Sequence, residues 1–212
     1  MQNPVSLEIF QSFTVDGTPE VLAAFRVAIM ERIAAPWRAL APEEINETFG
    51  LDDFLVFERA GAPDDQVRLS LYRTTGAYEV ANVVPTTGQL SRSQYNAIVA
   101  GFAQTYAAPA AEASGADFSL GSSVITLEES LGSPGAAALR SLSAGANRSN
   151  AASHPNDQAR LYDAILALKG QQIETGTLTR ILICLEWPEE IAEEIASQID
   201  FGVGLLAREH NL

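Results

Sequence analysis

The sequence predicts an α+β protein: a mostly antiparallel meander sheet flanked by helices, followed by a C-terminal helical module. Three observations predict it. Phe54 to Phe57, Val67 to Tyr72 and Tyr78 to Val84 are strand-like runs separated by turn residues of hairpin length, Gly61, Pro63 and Asp64 and then Thr74, Thr75 and Gly76. Directly after them, Arg92 to Tyr106 places Tyr95, Ile98, Val99, Phe102 and Tyr106 on one helical face. From Leu131 onward the apolar spacing is helical only. The expected organisation is a sheet domain over 1–130 and a helical module over 131–212 packed on it.

Val5, Leu7 and Ile9 alternate with Ser6 and Glu8, which is the pattern of a half-buried strand, and Phe10 and Phe13 extend it without settling the register. Asp16 and Gly17 form a turn. Thr18 is a good N-cap with Pro19 at the first helical position, where its missing N–H costs nothing. The following helix carries Leu22, Phe25, Ile29 and Ile33 on one stripe and stops before Pro36, because a residue preceding proline is pushed out of the helical region. One or two further helical turns are expected between Pro42 and Phe49.

In the central unit, Val67, Leu69 and Leu71 alternate with Arg68, Ser70 and Tyr72, so this strand has one wet face. Phe54 to Phe57 does not alternate, which predicts a strand covered on both sides. Ser91 and Gln94 make a capping box, with Leu90 and Tyr95 at the positions of a hydrophobic staple. The Ala-rich stretch from Ala107 to Ala116, holding Pro109 and Gly115, reads as a fraying connector. Val124 to Leu127 reads as a further strand of the same sheet.

Three helices are expected in the C-terminal part: Pro134 to Leu142, Pro155 to Lys169 with Leu161, Ile165 and Leu168 inward, and one starting near Pro188 with Ile191, Ile195 and Ile199 on its apolar side. Leu178 to Leu185 is apolar and of undecided type. Ser143 to Ser153, rich in small and polar residues, is either a solvated linker or a loop ordered by its neighbours, with the linker reading ahead.

The net charge of −14 on 212 residues is concentrated in two places. Between Pro42 and Asp65 lie eight acids and one base, a net −7; between Glu186 and Asp200 lie six acids and no base. A field of this sign repels nucleic acid and anionic membrane and attracts basic surfaces. Arginine supplies twelve of the thirteen basic residues and is scattered, so no basic stripe for nucleic acid exists. No apolar window has the length of a membrane span and the first residues lack the regions of a signal peptide, so the cytoplasm is the expected default compartment.

Residues able to do chemistry are few. His154, Pro155, Asn156 and Asp157, with Arg160 three residues on, form the densest polar cluster. Pro155 at the first helical position makes His154 the cap and Asp157 an acid facing free N–H groups, which explains the cluster without a ligand. The catalytic alternative pairs His154 with Asp157 beside an anion-binding Arg160. No metal site is expected from two histidines and one cysteine, and a carboxylate-only magnesium site would have to come from Glu43, Glu47 and Asp52 or Asp53. Cys184, set among Ile181, Leu182, Ile183 and Leu185, reads as a small buried hydrophobe. Ser119 lies in Asp117-Phe118-Ser119-Leu120-Gly121, which lacks the first glycine of a nucleophile elbow. No phosphate-binding glycine motif occurs, and no cofactor is expected.

The expectation is therefore a non-enzymatic acidic binding protein of the bacterial cytoplasm, an inhibitor of the immunity or antitoxin kind directed at a basic protein. Glu43, Glu44, Glu47 and Asp52 from the first window, and Glu189, Glu190, Glu193 and Glu194 from the second, are the expected contact residues. The four glutamates sit opposite an isoleucine stripe, and the pairs Glu189 with Glu193 and Glu190 with Glu194 repel each other along the helix, a local cost that a partner's cations would relieve. The alternatives are a small enzyme using His154, Asp157 and Arg160, or an assembly subunit without a chemical site.

Overall fold

A computed structural model describes residues 5–41, 54–61, 66–150 and 153–209. In chain order the elements are β1 (Ser6–Glu8), β2 (Phe13–Asp16), α1 (Pro19–Arg32), β3 (Trp37–Ala39), β4 (Phe54–Arg59), β5 (Val67–Arg73), β6 (Ala77–Pro85), α2 (Arg92–Phe102), a π-helical turn (Ala103–Ala107), α3 (Ala108–Ser114), β7 (Asp117–Leu120), β8 (Val124–Thr126), α4 (Leu127–Gly145), α5 (Pro155–Ala167), α6 (Thr175–Cys184) and α7 (Glu189–Glu209). The protein is α+β, and the chain divides into two compact units: Glu8–Ser123, and Val124 onward together with the N-terminal segment through Leu7.

The first unit is a six-stranded antiparallel sheet in the order β3-β4-β5-β6-β2-β7. The β4-β5-β6 meander is as the alternation predicts. Leu69 stands between Phe57 and Val83, with all three buried, while Arg68 and Tyr72 point to the other, wetter face. On β4, Leu55, Val56 and Phe57 are all buried, so the strand without alternation is covered on both sides. Thr18 caps α1 by accepting the Val21 N–H, and α1 buries Leu22, Phe25 and Ile29. The capping box at α2 closes in both directions: Ser91 Oγ accepts from Gln94 N at 3.2 Å and Gln94 Oε1 from Ser91 N at 2.8 Å. Ile98, Val99, Phe102 and Tyr106 then join the strand side chains in one core, with Tyr95 partly buried at its margin.

A polar residue inside this core has a structural task. Asn96 is buried on α2, accepts the Gln11 N–H at 2.7 Å and donates to the Ile9 carbonyl at 2.8 Å, tying the segment between β1 and β2 to the helix.

Three expectations about this unit are corrected. Ala107 to Ala116 is not a frayed connector: the helix runs on through α3 to Ser114 and ends at Gly115 in the left-handed region. The wide turn, in which the Ala108 N–H reaches back to the Ala103 carbonyl, lies just ahead of Pro109 and lets the chain absorb a residue that has no N–H to give. Phe13 does not extend the first strand but begins β2, which lies between β6 and β7. The run at Val124 does not join this sheet either, because β8 pairs with β1 in a separate two-stranded ribbon.

The second unit gathers α4 to α7 around Leu127, Leu131, Leu139, Leu142, Leu161, Leu168, Leu178, Ile181, Leu182, Trp187, Ile195 and Ile199. Thr126 and Glu129 form a second capping box at the start of α4. That helix is broken at Gly132, whose φ of 66° and ψ of 161° suit glycine, and Pro134 opens the continuation. Gln171 Nε2 donates to the Leu131 carbonyl at 2.8 Å, satisfying a group that the break leaves without a helical partner. The apolar segment of undecided type is helical, as α6. The loop after α4 is an ordered one where it is described, against the linker reading. Arg148 Nε donates to the Ser143 carbonyl at 2.9 Å, and the Asn147 N–H donates to Asp157 at 3.1 Å. Among the described residues no helix is long and apolar enough to cross a membrane.

Candidate partner-binding surface

Helix α7 presents the second acidic window. Trp187, buried, donates its indole N–H to Ser143 Oγ at 2.8 Å and fixes where the helix begins; the Pro188 carbonyl then accepts the Ala192 N–H. Ala192, Ile195, Ala196 and Ile199 face the core, with Ile191 at its margin. Glu189, Glu190, Glu193 and Glu194 are consequently turned outward and exposed. None of the four takes part in an ion pair among the described residues; Glu194 accepts a hydrogen bond from Gln198 at 3.2 Å. Glu186, counted in the same window, differs: its carboxylate meets Arg148 at 2.9 Å.

Of the first window, Glu43, Glu44, Glu47 and Asp52, together with Asp53, lie outside the described residues. Glu58 is described and is paired within the sheet. Its two oxygens bridge Arg38 at 2.7 Å and Arg68 at 3.0 Å across neighbouring strands, and these guanidiniums hold its carboxyl below the usual range.

A second feature of the same helix is not among the features expected from the sequence. Tyr162 and Leu166 on α5, with 59% of each exposed, and Phe201 and Leu205 on α7, at 69% and 51%, stand beside an open groove of about 470 Å³. A monomer has no folding reason to leave four large apolar side chains in water side by side. The floor is close-packed: a Cβ at Gly202 would fall 2.7 Å from Ile165 Cδ1, so the glycine lets the two helices approach while the larger side chains stand as rims. The signal in the sequence was that Phe201 and Leu205 lie off the Ile191, Ile195, Ile199 stripe.

His154, Asp157 and Arg160 are brought together, but on local partners. His154 Nδ1 accepts the Asn156 N–H at 3.2 Å as an N-cap. Asp157, 5% exposed, accepts from Arg160 at 2.9 Å and from the Asn147 backbone. Arg160 also reaches the Gly145 carbonyl and lies over that glycine, where a Cβ would come within 2.7 Å of its guanidinium carbon. No side-chain hydrogen bond joins His154 to Asp157. His154→Asn, which keeps a cap, is expected to melt within about 0.5 kcal/mol of wild type, and His154→Ala to lose about 1 kcal/mol; a urea titration of the three proteins checks this.

Ser119 lies in β7 and shares a hydrogen bond of 2.9 Å with Thr14 across the β2–β7 pair. Cys184, expected to be buried, is exposed at the end of α6, because Ile181 and Leu182 take the inward positions of that turn. Among the described residues no three His, Cys, Asp or Glu side chains come together as a metal site. No family model, curated protein or solved structure matches the chain.

Proposed function

We propose that the chain is a non-enzymatic binding protein that uses the acidic face of α7 to recognise a basic protein, as an inhibitor of the immunity or antitoxin kind acting in the cytoplasm. One observation carries this reading: four carboxylates project from two consecutive turns of a helix, without an internal cation among the described residues, on a chain of net charge −14. Such a cluster raises the encounter rate of a cationic partner and disfavours anionic ones. Its place on a core-anchored helix suits recognition, since little ordering is left for the moment of binding.

Capture of the partner from the native host on immobilised chain, followed by titration against wild type and a variant with Glu189, Glu190, Glu193 and Glu194 changed to Lys, tests it. A basic protein whose binding fails with the variant is the expected result. An acidic captured protein, or one that binds both forms equally, would leave the charge as an aid to solubility alone.

A further inference from the structure

We infer that the groove between α5 and α7 takes an amphipathic helix of the basic partner, whose apolar residues fill the groove while its lysines or arginines lie over the glutamates. The inference rests on the proposed acidic recognition face and adds to it where the partner docks and what kind of segment it offers.

The acids and the groove form one track. Glu190, Glu194, Gln198, Phe201 and Leu205 follow one another at intervals of four or three residues and therefore share a stripe of α7, all exposed. Gln198 lines the groove and donates to Glu194, joining the two halves. From Glu190 to Leu205 the stripe is about 22 Å long at 1.5 Å per residue. That is four helical turns, acidic in the first two and apolar in the last two. On α5, Tyr162 and Leu166 are likewise one turn apart and form the opposite rim. Two rims of large apolar side chains over a close-packed floor match the ridge of a helix, which offers residues at i, i+3, i+4 and i+7.

Charge selects the occupant. A second copy laid parallel would set Glu190 and Glu194 against their own counterparts. Laid antiparallel, it would cover those carboxylates with Phe201 and Leu205, removing them from water without a hydrogen-bond partner. An anionic lipid surface is repelled by the acidic half. A helix that is apolar along two turns and cationic along the next two satisfies both halves at once.

The test uses a fluorescein-labelled four-turn helical peptide with a leucine stripe in one half and lysines on the same face of the other. Control peptides replace either the leucines with serine or the lysines with glutamate. Binding is read by fluorescence anisotropy, and the association state of the unliganded chain by sedimentation. The first peptide is expected to bind wild type at least tenfold more tightly than either control, and at least tenfold more tightly than it binds a Phe201→Ser, Leu205→Ser variant or a Glu190→Lys, Glu194→Lys variant. All four positions are exposed, so both variants are expected to keep the wild-type circular dichroism spectrum. Should the serine variant bind like wild type while the lysine variant is weakened, the groove is overturned and the acidic face stands. Equal binding of the lysine and glutamate peptides overturns the acidic face and this inference with it. Absence of binding by the first peptide, or self-association that the serine variant abolishes, overturns the inference as well, the latter in favour of a second copy as occupant.

Discussion

Phe102→Ala is expected to lower stability by about 3 to 5 kcal/mol. The ring is 1% exposed and lies among four others, with centroid distances of 4.9 Å to Phe57, 5.0 Å to Trp37, 5.4 Å to Tyr106 and 6.4 Å to Phe13. Truncation removes the transfer energy of the ring and leaves a cavity that these neighbours, held by strands and by the helix itself, are poorly able to fill. Edge-to-face and tilted ring pairs add about 0.5 to 1.5 kcal/mol each beyond burial, though not additively. Against a total stability of about 5 to 15 kcal/mol this is a large fraction. Urea titration should show a lower midpoint with an unchanged slope. A loss under about 1 kcal/mol would mean that the helix does not lean on the sheet through this residue.

Changing Glu189, Glu190, Glu193 and Glu194 together to Lys is expected to slow association with a basic partner by about 10- to 1000-fold, since the face goes from four negative charges to four positive ones. The side chains point away from Ala192, Ile195, Ala196 and Ile199, so the core is untouched. Repulsion along the helix is unchanged in size because like charges replace like charges. The expected loss of stability comes from cations in the first turn, at Glu189 and Glu190, and is about 1 to 2 kcal/mol in all. Replacement by Gln serves as the companion: it removes the charge with a smaller dipole cost and is expected to give an intermediate rate. Unfolding of the Lys variant with retention of the Gln variant's binding would assign the glutamates to helix stability instead.

The legible parts of this fold are those whose information is local. The alternation of Val67, Leu69 and Leu71, the Ser91–Gln94 box, and Thr18 with Pro19 are patterns within a few residues, and each element forms where they place it. Strand partners outside the hairpin-linked meander were not legible. Val124 to Thr126 has strand character, yet nothing in three residues distinguishes a place beside β1 from one in the larger sheet, since the choice is made by long-range packing. Phe118 and Ser119 gave too short an alternation to announce β7. Pro109 and Gly115 both spoke for a connector, but a π-helical turn accommodates the first and a left-handed cap uses the second. In the candidate surface the acids of α7 were legible because helix period alone turns them away from the isoleucines. The groove was not, because pattern reading sends large apolar residues inward and says nothing about those that remain in water, such as Tyr162 and Phe201.

Recognition by charge is read in the association rate of the captured partner with wild-type chain, followed by stopped-flow fluorescence over a salt series. Raising ionic strength from 0.01 M to 0.1 M shortens the Debye length from about 30 Å to about 10 Å. The association rate is expected to fall by about tenfold or more over this range while the dissociation rate changes far less. An association rate that stays constant across the series would contradict it.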